Sequence, residues 1–258
     1  MPNRPRIAIP MPHSLDREYS ERAIPQYERA VEQAGGEPVR IALDQTPAEV
    51  VKIIERCDGV LLPGSKADVD PARFGATRSA HTAAADPQRD AIDDLLLQDA
   101  YGRRKPVLGI CYGLQSLNVF RGGSLVQHIP DFLPEELRTR VNHEAGKNVP
   151  VAHEVEIESG SILAKVVNSK MSRALAPDET KILIPVNSSH HQSADKAGSG
   201  LRISARCSTD GIIEALEGTA SDHFVVAVQW HPERSVEADE PSRAIFRALI
   251  EASNQYRV

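Results

Sequence analysis

A lone cysteine stands between two glycines in Gly109-Ile110-Cys111-Tyr112-Gly113, after the apolar run Pro106-Val107-Leu108 and before Leu114-Gln115-Ser116-Leu117-Asn118-Val119-Phe120. The run reads as a buried strand and the stretch after it as a helix, so Cys111 falls on a strand-to-helix corner. Glycines on either side let the backbone turn sharply and pack closely. The first helical turn aims its amide N–H groups at the sulfur, which favours thiolate and exposure. A buried structural cysteine is the plainer alternative, since free cysteine is among the most buried residue types.

Alternation of strand and helix continues on the N-terminal side of this corner. Arg6 to Pro10 reads as a strand and Tyr19 to Ala34 as an amphipathic helix stopped by Gly35-Gly36. Strand, helix and strand follow at Pro38 to Leu43, Pro47 to Arg56 and Gly59 to Leu62. This order predicts a parallel sheet with helices on both faces. Beyond the corner the pattern changes. His153 to Ile157, Leu201 to Ala205 and Ile212 to Leu216 alternate and are β-rich, with a turn at Thr209-Asp210-Gly211, and predict antiparallel strands added to the parallel core. A last helix is expected from about Pro241 to Ala252. Between Gly64 and Asp86 lies a long loop rich in Ala, Asp, Pro and Thr, either covering a site or disordered. Without a linker rich in Gly, Ser or Pro, the 258 residues read as one domain.

A nucleophilic thiol needs a base and a group to orient that base. Phe224 to Gln229 reads as a buried strand ending in Trp230-His231-Pro232-Glu233, where a histidine and a carboxylate two residues apart can lie side by side with Pro232 fixing the turn. His231 is the candidate base and Glu233 the candidate orienting residue. In Val60-Leu61-Leu62-Pro63-Gly64-Ser65 an apolar strand breaks into a loop. An amide N–H of Gly64 or Ser65, with that of Tyr112, could hold a developing oxyanion. Gln115, one helical turn past Cys111, faces the nucleophile's side.

Composition closes off other classes. A net charge of −6 and the lack of a basic cluster with interleaved aromatics argue against a nucleic-acid surface. The short Arg103-Arg104-Lys105 run reads as a solvated helix end. Three widely spaced cysteines, Cys57, Cys111 and Cys207, show no metal-like pairing and suit a reducing cytosol, so a cytoplasmic protein is expected. No apolar run reaches the roughly 18–20 residues of a membrane span, and Met1 to Pro12 lacks a signal-peptide core. His190 and His191 invite a metal reading, but adjacent residues on a strand point apart and no third ligand lies nearby in sequence, so neither metal nor cofactor is expected.

These residues resemble the class I glutamine amidotransferase superfamily and, within it, the gamma-glutamyl-gamma-aminobutyrate hydrolase family. The resemblance runs through Leu61 to Gly64, Asp68 to Pro71, Arg89-Asp90, Gly109 to Asn118, Gly122 to Gln127, Asn187 to Gln192 and Gln229 to Glu233. It implies a single-domain three-layer α/β sandwich with a flavodoxin-like core, a mostly parallel central sheet, flanking helices and additional antiparallel strands. It also implies a catalytic triad of Cys111, His231 and Glu233, and places Ser188, Ser189 and His190 beside the site as candidate substrate-binding residues. Ser65 stands where the family usually has a second glycine, and Tyr112 where it commonly has arginine, departures that bear on substrate choice. The implied activity is hydrolysis of a small γ-glutamyl amide through a thioester, with a homodimer a possible assembly. A glutaminase subunit feeding a synthase would use the same triad, and a non-enzymatic regulatory protein could share the scaffold.

Overall fold

The computed structural model describes residues 4–168 and 181–257. Its strands are β1 (Arg6–Pro10), β2 (Glu37–Ile41), β3 (Gly59–Leu62), β4 (Val107–Ile110), β5 (Ser124–Val126), β6 (His153–Glu158), β7 (Lys181–Val186), β8 (Ser193–Lys196), β9 (Leu201–Cys207), β10 (Ile213–Gly218) and β11 (Val225–Val228). The helices are α1 (Arg17–Gln33), α2 (Pro47–Ile54), α3 (Pro87–Arg103), α4 (Tyr112–Phe120), α5 (Ile129–Phe132), α6 (Ile162–Asn168) and α7 (Glu240–Tyr256).

Nine strands form one sheet in the order β2-β1-β3-β4-β11-β10-β9-β6-β7. The first five pair in parallel and the remaining four add antiparallel. The two-residue period of β1 explains the layering. Ile7 and Ile9 point to one face, where α1, α6 and α7 pack through Ile24, Leu163 and Phe246. Ala8 points to the other, against Val50 of α2, Leu96 of α3 and Leu114 of α4. A sheet covered on both faces needs apolar strands throughout, and β3, β4 and β11 are buried along their whole length.

Helix starts follow their caps. Asp16, Thr46, Asp86 and Asp239 each accept a backbone N–H of the first turn, and Pro47 and Pro87 sit at helix starts where the missing donor costs nothing. Thr46 and Glu49 complete a capping box. The Arg103-Arg104-Lys105 run departs from expectation: Lys105 is buried, its Nζ donating to the Ile54 carbonyl at 2.6 Å and pairing with Asp99 at 2.6 Å. The sequence pattern also missed α3 and the two-stranded sheet of β5 and β8.

After β3 the long loop carries a short 3-10 turn at Pro71–Phe74. It is held down by polar contacts, with the Ala83 amide donating to Asp68 at 2.6 Å and the Ser79 amide to Gln127 at 2.8 Å. No described helix is long and apolar enough to cross a membrane.

Candidate active site

The site gathers where β3, β4 and β11 end together at the centre of the parallel part of the sheet, the place where open α/β sheets leave a crevice. At the end of β4, Cys111 takes φ +53° and ψ −106°. Its amide donates to Val228 of β11 at 2.8 Å, and its carbonyl accepts from Leu114 at the start of α4. The backbone strain falls on the cysteine itself, while the flanking glycines allow close approach. A Cβ on Gly113 would lie 2.1 Å from the Leu62 carbonyl oxygen, and one on Gly109 would lie 2.8 Å from the Gly113 oxygen.

Beyond β11, His231 and Glu233 lie in a buried turn whose 3-10 segment spans Pro232–Arg234. His231 Nδ1 is 2.7 Å from Glu233 Oε1. Burial disfavours the imidazolium, but the Glu233 carboxylate and Cys111 favour it more strongly and raise His231 to about 9. Glu233 is shifted the other way: burial opposes its ionisation, and the charge and hydrogen bond of His231 prevail to keep it below the usual carboxylate range. Asn187 sets the backbone of the base. Its Oδ1 accepts from the His231 amide at 3.0 Å, and its Nδ2 donates to the His231 carbonyl at 2.8 Å.

Of the three amides expected to face an oxyanion, Gly64 N–H is already used, donating to the Tyr27 hydroxyl at 3.1 Å. The amides of Ser65 and Tyr112 meet no acceptor among the described residues and remain available. The loop carrying Ser65 and the start of α4 at Tyr112 are both braced by Arg89, which is completely buried. Its guanidinium donates to the carbonyls of Pro12 at 3.1 Å and Pro63 at 2.7 Å and to Asp93 at 2.7 Å. It also lies 4.9 Å from the centroid of the Tyr112 ring, whose hydroxyl donates to Asp90 at 2.6 Å.

Cys111, Tyr112 and His231 line a cavity of about 250 Å³ together with Ser65, Gln115, Ser189 and His190. Gln115 donates through Nε2 to the Gln192 carbonyl and to Gln229, tying α4 to the segment before β8. Ser189 accepts a hydrogen bond from Arg234 at 2.8 Å. Two candidates present less to the cavity than expected. Ser188 is fully buried, donating to the His143 carbonyl at 2.7 Å, and is absent from the cavity wall. His190 borders the cavity, but its Nδ1 meets the Gln192 carbonyl and its Nε2 faces Glu214 at 3.6 Å. His191 turns the other way, towards Asp68 at 3.1 Å, so the two histidines do point apart although they lie in a loop. Sequence reading missed Tyr19, Lys66, Glu144 and Arg234 on the same wall, which arrive from four separate segments and share no local motif. Burial, with a smaller effect of the nearby Cys111 and Glu233, raises Tyr19 well above the usual phenol range.

Comparison with known proteins agrees with this geometry. The solved structure of a Thermoplasma acidophilum protein, described as belonging to GMP synthase, superposes with a TM-score of 0.63 over 100% of this chain and 98% of that one, at 16% identity, which speaks to fold alone. The Mycobacterium tuberculosis protein Rv2859c is 36% identical over 231 residues, covering 89% of this chain and 67% of its own. The gamma-glutamyl-gamma-aminobutyrate hydrolase PuuD of Escherichia coli is 32% identical over 259 residues, covering 98% of this chain and 95% of its own. The profile of the peptidase C26 family matches residues 8–233. With the sheet order, the strained cysteine corner and this match across most of its length, the chain belongs to the peptidase C26 family, hydrolases of class I glutamine amidotransferase-like fold.

Proposed function

We propose that the protein hydrolyses the γ-glutamyl amide bond of a small γ-glutamyl amine, releasing glutamate and the amine through a thioester on Cys111. The observation that carries this reading is His231, buried against the Glu233 carboxylate and beside Cys111, with its imidazole raised to about 9. A histidine in that state takes the thiol proton before attack and holds it as a general acid. Similarity over 98% of the chain to a relative named as a gamma-glutamyl-gamma-aminobutyrate hydrolase supports the substrate class.

In the first half-reaction the Cys111 thiolate attacks the side-chain carbonyl carbon, and the displaced C=O electron pair becomes an oxyanion held by the amides of Ser65 and Tyr112. Collapse breaks the C–N bond, and His231 protonates the departing amine. Water then attacks the thioester, giving its proton to His231, and the C–S bond breaks to release glutamate and restore the thiolate. Glu233 holds the ring of His231 through Nδ1, leaving Nε2 for these transfers. Around the acyl group, Arg234 and Lys66 supply positive charge for a carboxylate, and Glu144 and Asp68 negative charge for an ammonium.

The test is glutamate release from a panel of γ-glutamyl amines and from glutamine, comparing wild type with Cys111→Ala. The expected result is turnover of an amine conjugate that Cys111→Ala abolishes. Turnover of glutamine alone would replace this reading with a glutaminase that feeds a synthase, and no turnover of any amide would replace it with a non-enzymatic role.

A further inference from the structure

Away from the catalytic cysteine, four side chains that are distant in sequence close on one buried point. His143 comes from the irregular segment between α5 and β6, His153 opens β6, Glu214 lies in β10 and His190 sits between β7 and β8. Each is at least nine-tenths buried. Around Glu214 Oε1, His153 Nε2 lies at 2.9 Å, His143 Nδ1 at 3.4 Å and His190 Nε2 at 3.6 Å. The donor atoms of His143, His153 and Glu214 all fall within 4.8 Å of one another.

His153 Nε2 and Glu214 Oε1 share a hydrogen bond at 2.9 Å, but other atoms of the cluster are under-satisfied. His143 stands between two carboxylates, its Nε2 2.9 Å from Asp210 and its Nδ1 3.4 Å from Glu214. His153 Nδ1, His190 Nε2 and Glu214 Oε2 lack hydrogen-bond partners. A buried imidazole held between two carboxylates calls for a positive charge there, supplied by a proton on the ring or by a metal ion in its place. Two imidazole nitrogens and one carboxylate oxygen are a zinc donor set that leaves a fourth position open, and zinc bonds of about 2.0–2.1 Å imply tetrahedral edges of about 3.4 Å, close to the 2.9 and 3.4 Å separations of His153 and His143 from Glu214. The Asp210 contact behind His143 is the arrangement that orients a ligating histidine.

We infer that His143, His153 and Glu214 form a zinc site whose fourth position is open, stapling the segment before β6 to β10 and, through the His143 backbone, to the wall of the catalytic cavity. The site stands independently of the reaction proposed above. A cavity of about 260 Å³ bordered by Ile129, Val141, His143 and His190 reaches the His143 side of the site. Its effect on the active site would pass through the backbone: the His143 carbonyl accepts from the Ser188 hydroxyl and from the His190 amide, on the segment that carries Asn187.

Cobalt is the probe. Chelator-treated full-length protein, shown folded by circular dichroism, is titrated with Co²⁺. The expected result is one equivalent bound with visible bands of a tetrahedral site, displaced by Zn²⁺, and a higher melting temperature with Zn²⁺. His153→Gln should weaken binding about 100-fold or more, whereas His128→Ala, in the partly exposed His81, His128 and Asp131 group, should leave it unchanged. Absence of cobalt bands in folded wild type would overturn the inference. So would binding that survives His153→Gln, binding lost in His128→Ala, or a thiolate-to-cobalt charge-transfer band, which would move the metal to a cysteine such as Cys207.

Discussion

Cys111 holds a φ of +53° and a ψ of −106°, a conformation that costs a residue other than glycine roughly 1–3 kcal/mol. Glycine escapes that cost, so Cys111→Gly should be more stable to urea than Cys111→Ala by about 1 kcal/mol, while both lose glutamate release. Equal unfolding midpoints would show an unstrained corner. His231 titrates at about 9 in the folded protein against an ordinary 6.5, so the folded state holds a proton that the unfolded chain has released. Its contribution to stability is complete below pH 6.5 and disappears as pH rises through about 9. The same proton serves the leaving amine, so kcat/KM should fall as pH rises through about 9. A profile that stays flat well beyond that point would remove His231 as the acid. Glu233→Gln keeps the shape and removes the charge, and should lower kcat by roughly 10²–10⁴-fold with little change in KM.

Two elements owe their placement to contacts between segments far apart in sequence. Helix α4 lies so close to β3 that a methyl at Gly113 would overlap the Leu62 carbonyl. Alanine is ordinarily the better helix former, by about 1 kcal/mol. Here the sign should reverse, with Gly113→Ala destabilising by about 1–3 kcal/mol as the helix is pushed off the sheet, measured by urea denaturation. A neutral or stabilising result would mean that the helix can shift without cost. The turn that carries His231 is fixed by Asn187, whose side chain satisfies both its amide and its carbonyl across 44 residues of sequence. Asn187→Ala should therefore reduce kcat by roughly 10–100-fold through misplacement of the base. Unimpaired kcat in that variant would show that Glu233 positions His231 unaided.

Across the whole molecule, Arg89 joins the loops after β1 and β3 to α3 and to Tyr112 at the strand-to-helix corner, from a position with no solvent contact. Arg89→Met would leave Asp93 buried without its cation, and should cost about 3–5 kcal/mol of stability, read by chemical denaturation. A cost under 1 kcal/mol would show that Asp93 finds another partner. Much of this architecture was legible in the chain. The bounds of β1 and β3 and the corner at Cys111 match the sequence pattern to the residue, because strand period, glycine placement and capping act over a few residues. The pairing of His231 with Glu233 was legible for the same reason, being a two-residue spacing across a proline. Nothing local showed that Tyr27 would occupy the Gly64 amide, that Ser188 would turn away from the cavity, or that Lys105 would be buried. The sequence by itself determined the strand-to-helix corner, the layer alternation and the His-Pro-Glu turn, since short-range sterics and periodicity decide those. Only the tertiary structure decided which amides stay available, which polar groups face the cavity, and that His143, His153 and Glu214 meet. Those contacts depend on a strand order that sets β11 beside β4 and β10 beside β9, bringing together residues that the chain keeps far apart.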